Sequence, residues 1–99
     1  MILVRNVFRV KFGKAKEAVA LMKEGLAIQK RAGAPYTYRI LTDLTGPFYT
    51  MVLELTVQNF ATFEAEAPRY MGDKDFQANY QKIVPLIESG YREVFTILE

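Results

Sequence analysis

The feature that most constrains the fold is the period at which apolar residues recur, which alternates between strand-like and helical spacing. Residues 2–10 alternate with a period of two, which is typical of a β-strand. From residue 14 the period becomes helical, with charged residues mostly on the opposite side, until Gly33 and Pro35 end the pattern. Two further alternating segments, residues 36–42 and 48–57, are separated by a turn-rich connection, so they predict a β-hairpin.

The second half of the chain predicts another helical region and a last strand. Asn59 is a good N-cap, Pro68 is expected to kink or interrupt the helix, and Asp73 offers a second cap for a helix bent at Pro85. Residues 91–98 alternate again. The order βαββαβ predicts a ferredoxin-like α+β fold, a four-stranded antiparallel sheet with helices on one face. Residues 1–99 are expected to form a single domain.

Three absent residue types narrow the chemistry. The chain has no cysteine, no histidine and no tryptophan. A Ser-His-Asp triad, a thiolate nucleophile and His- or Cys-ligated metal or haem sites are therefore excluded. Catalysis would have to rely on carboxylates, Lys, Tyr, Ser or Thr, or on positioning of a reactive substrate. We expect no cofactor and no metal.

The distribution of charge bears on location and partners. Arg5 and Arg9 interrupt the first apolar run, so we expect neither a signal peptide nor a spanning helix, and a cytoplasmic location. Residues 1–42 carry nine basic and two acidic side chains, whereas residues 43–99 carry four and nine, so the two halves are expected to attract one another. The basic residues are not interleaved with a stacking platform, and we predict no nucleic-acid or membrane partner.

The face of the sheet that the helices leave uncovered, here called the open face, predicts a partner subunit. Several apolar side chains are expected there: Leu3, Val7, Leu41, Val52, Val94 and Leu98. A patch of this size needs a cover. A second copy of the chain is the natural one, so the sequence predicts a homodimer.

Three short segments carry a resemblance to a known superfamily. They are KFGK at residues 11–14, GDKDF at residues 72–76 and VPLIESG at residues 84–90. Together with the first strand, they resemble the dimeric α/β-barrel superfamily, in particular its NIPSNAP-like and antibiotic-biosynthesis-monooxygenase-like members, although Phe12 replaces a common proline. The resemblance implies a homodimer whose two sheets form a barrel with a small-molecule pocket. It also implies activities such as cofactor-free monooxygenation; the haem-degrading pattern depends on a histidine that this chain lacks.

Candidate site residues come from the polar positions of the strands. Arginine and glutamate are seldom buried without partners, so Arg5, Arg39 and Glu54 either pair with one another or meet a ligand. Thr37 and Asn6 complete the predicted ligand-binding set. The tyrosines are more often packing residues than ligand contacts. Glu64 and Glu66, two residues apart, point in different directions on a helix and are expected to be solvated or capping. No catalytic residue is assigned.

Two functions remain open. One is a homodimeric small-molecule-binding protein, in the form of a cofactor-independent monooxygenase or isomerase acting on a small aromatic or acidic substrate. The alternative is a non-enzymatic assembly or regulatory module whose open face serves only to pair subunits. The sequence does not decide whether the protein is an enzyme.

Overall fold

Strands and helices follow one another in the predicted order. In the computed structural model, which describes residues 1–99, strand β1 (Ile2–Val10) leads into helix α1 (Ala15–Arg31), and β2 (Thr37–Thr42) is followed by β3 (Thr50–Val57). Helices α2 (Phe60–Met71) and α3 (Lys74–Ile83) and a 3-10 turn (Val84–Leu86) precede β4 (Ile87–Thr96). The sheet order is β2-β3-β1-β4, and every neighbouring pair is antiparallel. This is the ferredoxin-like α+β fold that the sequence predicts. None of the helices is long and apolar enough to cross a membrane.

The core lies between the helices and one face of the sheet. The apolar set of β3 faces the helices, as predicted, and Met51, Leu53, Leu55 and Val57 are buried. Val4 of β1 is fully buried against them. Transfer of this apolar surface from water is the main term that holds the helices on the sheet.

Both helices of the second half begin at the caps that the sequence indicates. The Asn59 side chain accepts a hydrogen bond from the Thr62 amide over 2.8 Å, and Asp73 accepts one from the Phe76 amide over 3.0 Å. Each cap satisfies an amide at a helix start that has no intrahelical partner. Pro68 lies inside α2 without ending it, and the break falls at Gly72 instead.

The last strand begins earlier than predicted. Helix α3 ends at Ile83, so Pro85 lies in a 3-10 turn rather than in a bent helix, and β4 starts at Ile87 rather than at residue 91. Gly90, expected to close the helix, lies within β4 opposite Phe8. A Cβ at Gly90 would come within 2.9 Å of the Phe8 ring, so only glycine allows this close approach.

The register of β4 also corrects the expected open face. Val94 pairs with Val4 and therefore lies on the helix-facing side, not on the open face, and Leu98 lies beyond the strand. The open face comprises Thr37, Arg39 and Leu41 of β2, Thr50, Val52, Glu54 and Thr56 of β3, Leu3, Arg5, Val7 and Arg9 of β1, and Tyr91, Glu93 and Phe95 of β4. Val7 and Val52, on the two central strands, are each only 8% exposed. The exposed apolar side chains of this face lie on the edge strands: Leu41, Tyr91 and Phe95.

Candidate functional site

Four of the five predicted ligand-binding residues lie together on the open face, where an ion-pair network joins three of them. Glu54 is buried, and its two carboxylate oxygens accept hydrogen bonds from Arg5 Nε over 3.0 Å and from Arg39 Nε over 2.6 Å. Arg5 Nη1 also donates to Glu93 over 2.9 Å. Thr37 lies exposed at the start of β2, on the same face. The two arginines thus compensate the charge of the buried Glu54.

The electrostatics of Glu54 follow from this arrangement. Burial by itself raises the pKa of the Glu54 carboxyl, but hydrogen bonds and charge from Arg39 and Arg5 outweigh it, so its pKa lies below the ordinary value. Glu54 is therefore ionised at neutral pH. The network links β2, β3, β1 and β4 across the sheet.

The fifth predicted residue, Asn6, lies on the opposite side of the sheet, in a cleft beneath the helices. We call this the helix-side cleft. It has two adjoining compartments, one of about 430 Å³ and one of about 520 Å³. Five residues line both of them and so mark the junction: Gln29, Leu53, Met71, Phe76 and Arg92.

The smaller compartment, here called the polar compartment after its buried Asn6 and Glu66, contains a pair of polar residues on neighbouring strands. Asn6 of β1 is only 8% exposed, and its Oδ1 accepts a hydrogen bond from Arg92 Nε of β4 over 2.6 Å. The Arg92 guanidinium carbon lies 5.0 Å from the centre of the Phe63 ring, within the range of a cation–π contact. The terminal nitrogens of Arg92 donate to no protein acceptor. They are left to bind solvent or a ligand.

Helix α2 supplies a second polar cluster to the same compartment. Glu66 is buried; its carboxylate accepts a hydrogen bond from the Tyr70 hydroxyl over 2.7 Å and two from Arg69 Nη1, over 3.1 and 2.9 Å. The expectation that Glu66 is solvated is therefore wrong. Arg69 and Tyr70 lie three and four residues further along α2, on the same side of the helix, so they can satisfy its charge.

Tyrosine hydroxyls complete this cluster. Burial raises the pKa of Tyr70, and the hydrogen bond to Glu66 raises it further. Burial also raises the pKa of Tyr36, whose hydroxyl donates to the Gln29 side chain. Both phenols are thus neutral hydrogen-bonding groups at physiological pH, rather than phenolates.

The larger compartment is mainly apolar and lies between α1, α3 and the sheet. Its apolar lining includes Phe8, Met22, Leu26, Ile83, Val84 and Ile87. We call it the apolar compartment. Arg92 lies at its border with the polar compartment, whose lining is also mostly apolar but carries the buried Asn6 and Glu66.

The sequence predicts only a small part of this cleft. Asn6 is the one polar residue in an otherwise apolar strand face, which is a signal for a polar site. The sequence does not indicate Arg92, because both faces of β4 mix polar and apolar residues and its pairing with Asn6 depends on the long-range register of β1 and β4. For the contact between Glu66 and Tyr70, the signal is their spacing of four residues, which places both on one side of α2.

The cleft offers hydrogen-bond donors and acceptors rather than metal ligands. No group of three His, Cys, Asp or Glu side chains in the chain comes together in a way that could hold a metal ion. Arg92 can hold an oxygen atom that carries negative charge, while the tyrosines and Gln29 can hydrogen-bond a polar substituent.

The fold and the cleft together define a ferredoxin-like α+β domain with a cavity between the sheet and its helices. Solved structures share this fold over nearly the whole chain. The chain is similar to a NIPSNAP domain protein from Burkholderia xenovorans, with a TM-score of 0.85 and 22% identity over 98% of this chain and 94% of that one. It is also similar to a NIPSNAP family protein from Agrobacterium tumefaciens, with a TM-score of 0.85 and 21% identity over 96% and 90% of the two chains.

A third similar structure is a putative antibiotic biosynthesis monooxygenase from Nitrosomonas europaea, with a TM-score of 0.78 and 13% identity over 100% of both chains. No protein-family model matches the chain, and no curated protein matches it in sequence. The resemblance stated from the sequence is confirmed at the level of the fold.

Proposed function

We propose that this protein binds a small organic molecule in the helix-side cleft, with Arg92 holding an anionic or carbonyl oxygen. One observation carries the proposal. Arg92 is fixed through Nε by the buried Asn6, while its terminal nitrogens remain free beside a cavity. Guanidinium groups bind carboxylates and other oxyanions through such paired donors. Tyr36 and Gln29, which line the same compartment, are suited to a second polar group of the ligand.

We extend the proposal to chemistry of the cofactor-independent monooxygenase or isomerase type. A guanidinium beside an enol or phenol oxygen stabilises its ionised form, and ionisation makes the adjacent carbon more electron-rich. In this role Arg92 binds the oxyanion and Asn6 positions Arg92. The similar fold of a protein described as a putative monooxygenase supports this extension. A cavity with unpaired polar donors favours ligand binding over a module that serves only for assembly.

The open face supports a homodimer as the second part of the proposal. Leu41, Tyr91 and Phe95 are exposed on the edge strands of this face, whereas the helices cover only the other face. A second copy packed against the open face would remove these side chains from water. The Arg5, Glu54 and Arg39 network would then lie inside the assembly, with its charges already compensated.

The ligand-binding proposal is tested by thermal shift with a panel of benzoate, salicylate, hydroquinone and 2-ketobutyrate. We expect at least one compound to raise the Tm of the wild-type protein, and Arg92→Gln to abolish that rise. Arg31→Gln, which removes an exposed arginine that does not line the cleft, is the matched control and should respond as the wild type does. No shift with any compound, or an equal shift in Arg92→Gln, would contradict the proposal.

A further inference from the structure

We infer that the ligand of the helix-side cleft is an amphipathic organic acid, with its charged end at Arg92 and its apolar body in the apolar compartment. This inference rests on the proposed function and makes the ligand class more specific. It depends on three features of the cleft: the exposed apolar side chains at its opening, the uncompensated charge of Arg92, and the position of Arg92 between the two compartments.

Exposed apolar side chains line the apolar compartment. Met71 is 58% exposed, Val84 52% and Tyr80 49%, and all three belong to its lining. Leu26 is buried deeper in the same compartment. Solvent-exposed apolar side chains grouped around a cavity indicate an apolar occupant, because such a body would remove their surface from water.

The charged side chains that line the two compartments are not all paired with one another. Arg92 is the single cationic side chain that lines either compartment, and it forms no salt bridge. The buried carboxylate of the polar compartment, Glu66, is compensated by Arg69. Glu64, also in the lining of the polar compartment, is exposed on α2 and forms no salt bridge. At the junction itself, Arg92 is therefore the charged group that an acidic ligand would pair with.

Because of where Arg92 lies, a single ligand can both pair with its charge and fill the apolar compartment. Arg92 lines both compartments, so a carboxylate bound to its terminal nitrogens lies at the entrance of the apolar compartment. A chain or ring attached to that carboxylate extends between α1 and α3. A short acid would satisfy Arg92 but leave the apolar compartment unfilled.

The test is a calorimetric titration with butanoate, hexanoate, octanoate and decanoate, and with 1-octanol as the uncharged counterpart. In the wild-type protein we expect affinity to rise by up to about fourfold for each added methylene, the increment expected for burial of one CH₂ group. Arg92→Gln should weaken every carboxylate by about tenfold to a hundredfold, the usual loss for a hydrogen bond to a charged group. It should leave the affinity for 1-octanol unchanged.

A variant that fills the apolar compartment separates the inference from the proposed function. Ile83→Trp should abolish the increase with chain length while butanoate binds as it does to the wild type. Val84→Phe, in the partly exposed 3-10 turn, serves the same purpose if Ile83→Trp does not fold. Leu44→Trp is the control, since Leu44 is 97% exposed and lines neither compartment.

The titrations distinguish failure of the amphipathic-acid inference from failure of the proposed function. If affinity depends on Arg92 but is equal for butanoate and decanoate, the amphipathic-acid inference is wrong and the proposed function stands. If long carboxylates bind equally well to wild type and Arg92→Gln, Arg92 does not bind the carboxylate, and both the inference and the proposed function are wrong. If no carboxylate binds, the inference is wrong, and the thermal-shift panel decides the proposed function separately.

Discussion

Asn6 and Arg92 face each other directly across β1 and β4, and Arg92 Nε donates to Asn6 Oδ1 over 2.6 Å. The buried Asn6 side chain thus fixes the orientation of the exposed Arg92 side chain. Since Asn6 is neutral, it positions the guanidinium without cancelling its charge.

Replacing Asn6 with aspartate should weaken acid binding more than replacing it with alanine. Asn6→Asp pairs Arg92 with a carboxylate inside the cleft, so an acidic ligand meets a neutral pair, and we expect its affinity to fall by at least about tenfold. Asn6→Ala frees the side chain of Arg92 but keeps its charge, so the loss should be severalfold smaller. Titration with octanoate measures both. Equal affinity in Asn6→Asp and the wild type would show that the charge of Arg92 does not bind the ligand.

Glu54 should contribute to stability in a way that depends on pH. Because the pKa of Glu54 is lowered in the folded protein, its contribution is complete above the ordinary value of 4.5 and is lost as the pH falls below it. We expect Glu54→Gln to reduce the free energy of unfolding by about 1.5–3 kcal/mol at neutral pH, the range for hydrogen bonds to charged groups. The difference from the wild type should shrink in acid.

Arg39→Gln is the matched comparison for this ion pair. In the single subunit the Arg39 side chain is 71% exposed, so its loss there should cost only about 0–1 kcal/mol. Urea unfolding at several pH values, at a protein concentration low enough to keep the chain monomeric, measures both variants. A Glu54→Gln penalty that stays constant from pH 7 to acid would contradict the assignment of the lowered pKa to these arginines.

The sequence predicts the strand faces where one face is purely apolar. The alternation of β3 identifies its helix-facing set, and the glycine and proline after α1 identify the end of that helix. The expected face of Val94 is wrong because both sets of β4 residues contain apolar and polar members. In such a strand, only pairing with β1, a contact between distant parts of the chain, decides which set faces the helices.

The candidate site, too, is only partly predictable from the sequence. The charge pattern predicts that Arg5, Arg39 and Glu54 share a face, and they do. The cleft arises from how α1, α2 and α3 pack over the sheet, and helical periodicity says which side of a helix is apolar without saying where two helices leave a gap. The predicted ligand set therefore contains one residue of the cleft, Asn6.

Tyr70 and Tyr36 should make the protein less stable at high pH. Burial raises the pKa of both phenols in the folded state, so their contribution is complete below the ordinary value of 10.0 and is lost as the pH rises above it. Tyr70→Phe removes the hydroxyl that donates to Glu66 and should cost about 1–3 kcal/mol at neutral pH.

The alkaline loss of stability should be smaller in Tyr70→Phe than in the wild type. Urea unfolding at pH 7, 9 and 10.5 measures it. Tyr80→Phe is the control, because Tyr80 is 49% exposed on α3 and lies away from the open face. If Tyr80→Phe and Tyr70→Phe change the alkaline profile equally, the buried cluster is not its cause.

Gly25 should not tolerate alanine although it lies in the middle of α1. A Cβ there would come within 2.6 Å of Asn79 Oδ1. The Asn79 side chain is buried, and its Nδ2 is held by a hydrogen bond to the Leu21 carbonyl over 2.9 Å, so it cannot move away freely. Overpacking of this kind costs about 1–3 kcal/mol, which outweighs the gain of up to about 1 kcal/mol in helix propensity.

A second glycine supplies the control for Gly25. Nothing lies within 4 Å of a Cβ built on Gly72, and its backbone is right-handed, so Gly72→Ala should be neutral or slightly stabilising. Thermal unfolding compares the two. In the Asn79→Ala background the obstructing amide is gone, and Gly25→Ala should then cost nothing. If Gly25→Ala still lowers the Tm in the Asn79→Ala background, the added methyl group clashes with a group other than Asn79.

The open face should mediate association of two copies of the chain. Phe95 is 46% exposed on the edge strand β4, and a charge at its position would have to be buried in the proposed dimer. We expect sedimentation to show a dimer for the wild type at micromolar concentration, and Phe95→Lys to shift it to a monomer. Leu44→Lys, at a fully exposed loop position that is not on the sheet, should leave the dimer intact. A stable wild-type monomer, or dissociation caused equally by both substitutions, would show that the open face does not pair the subunits.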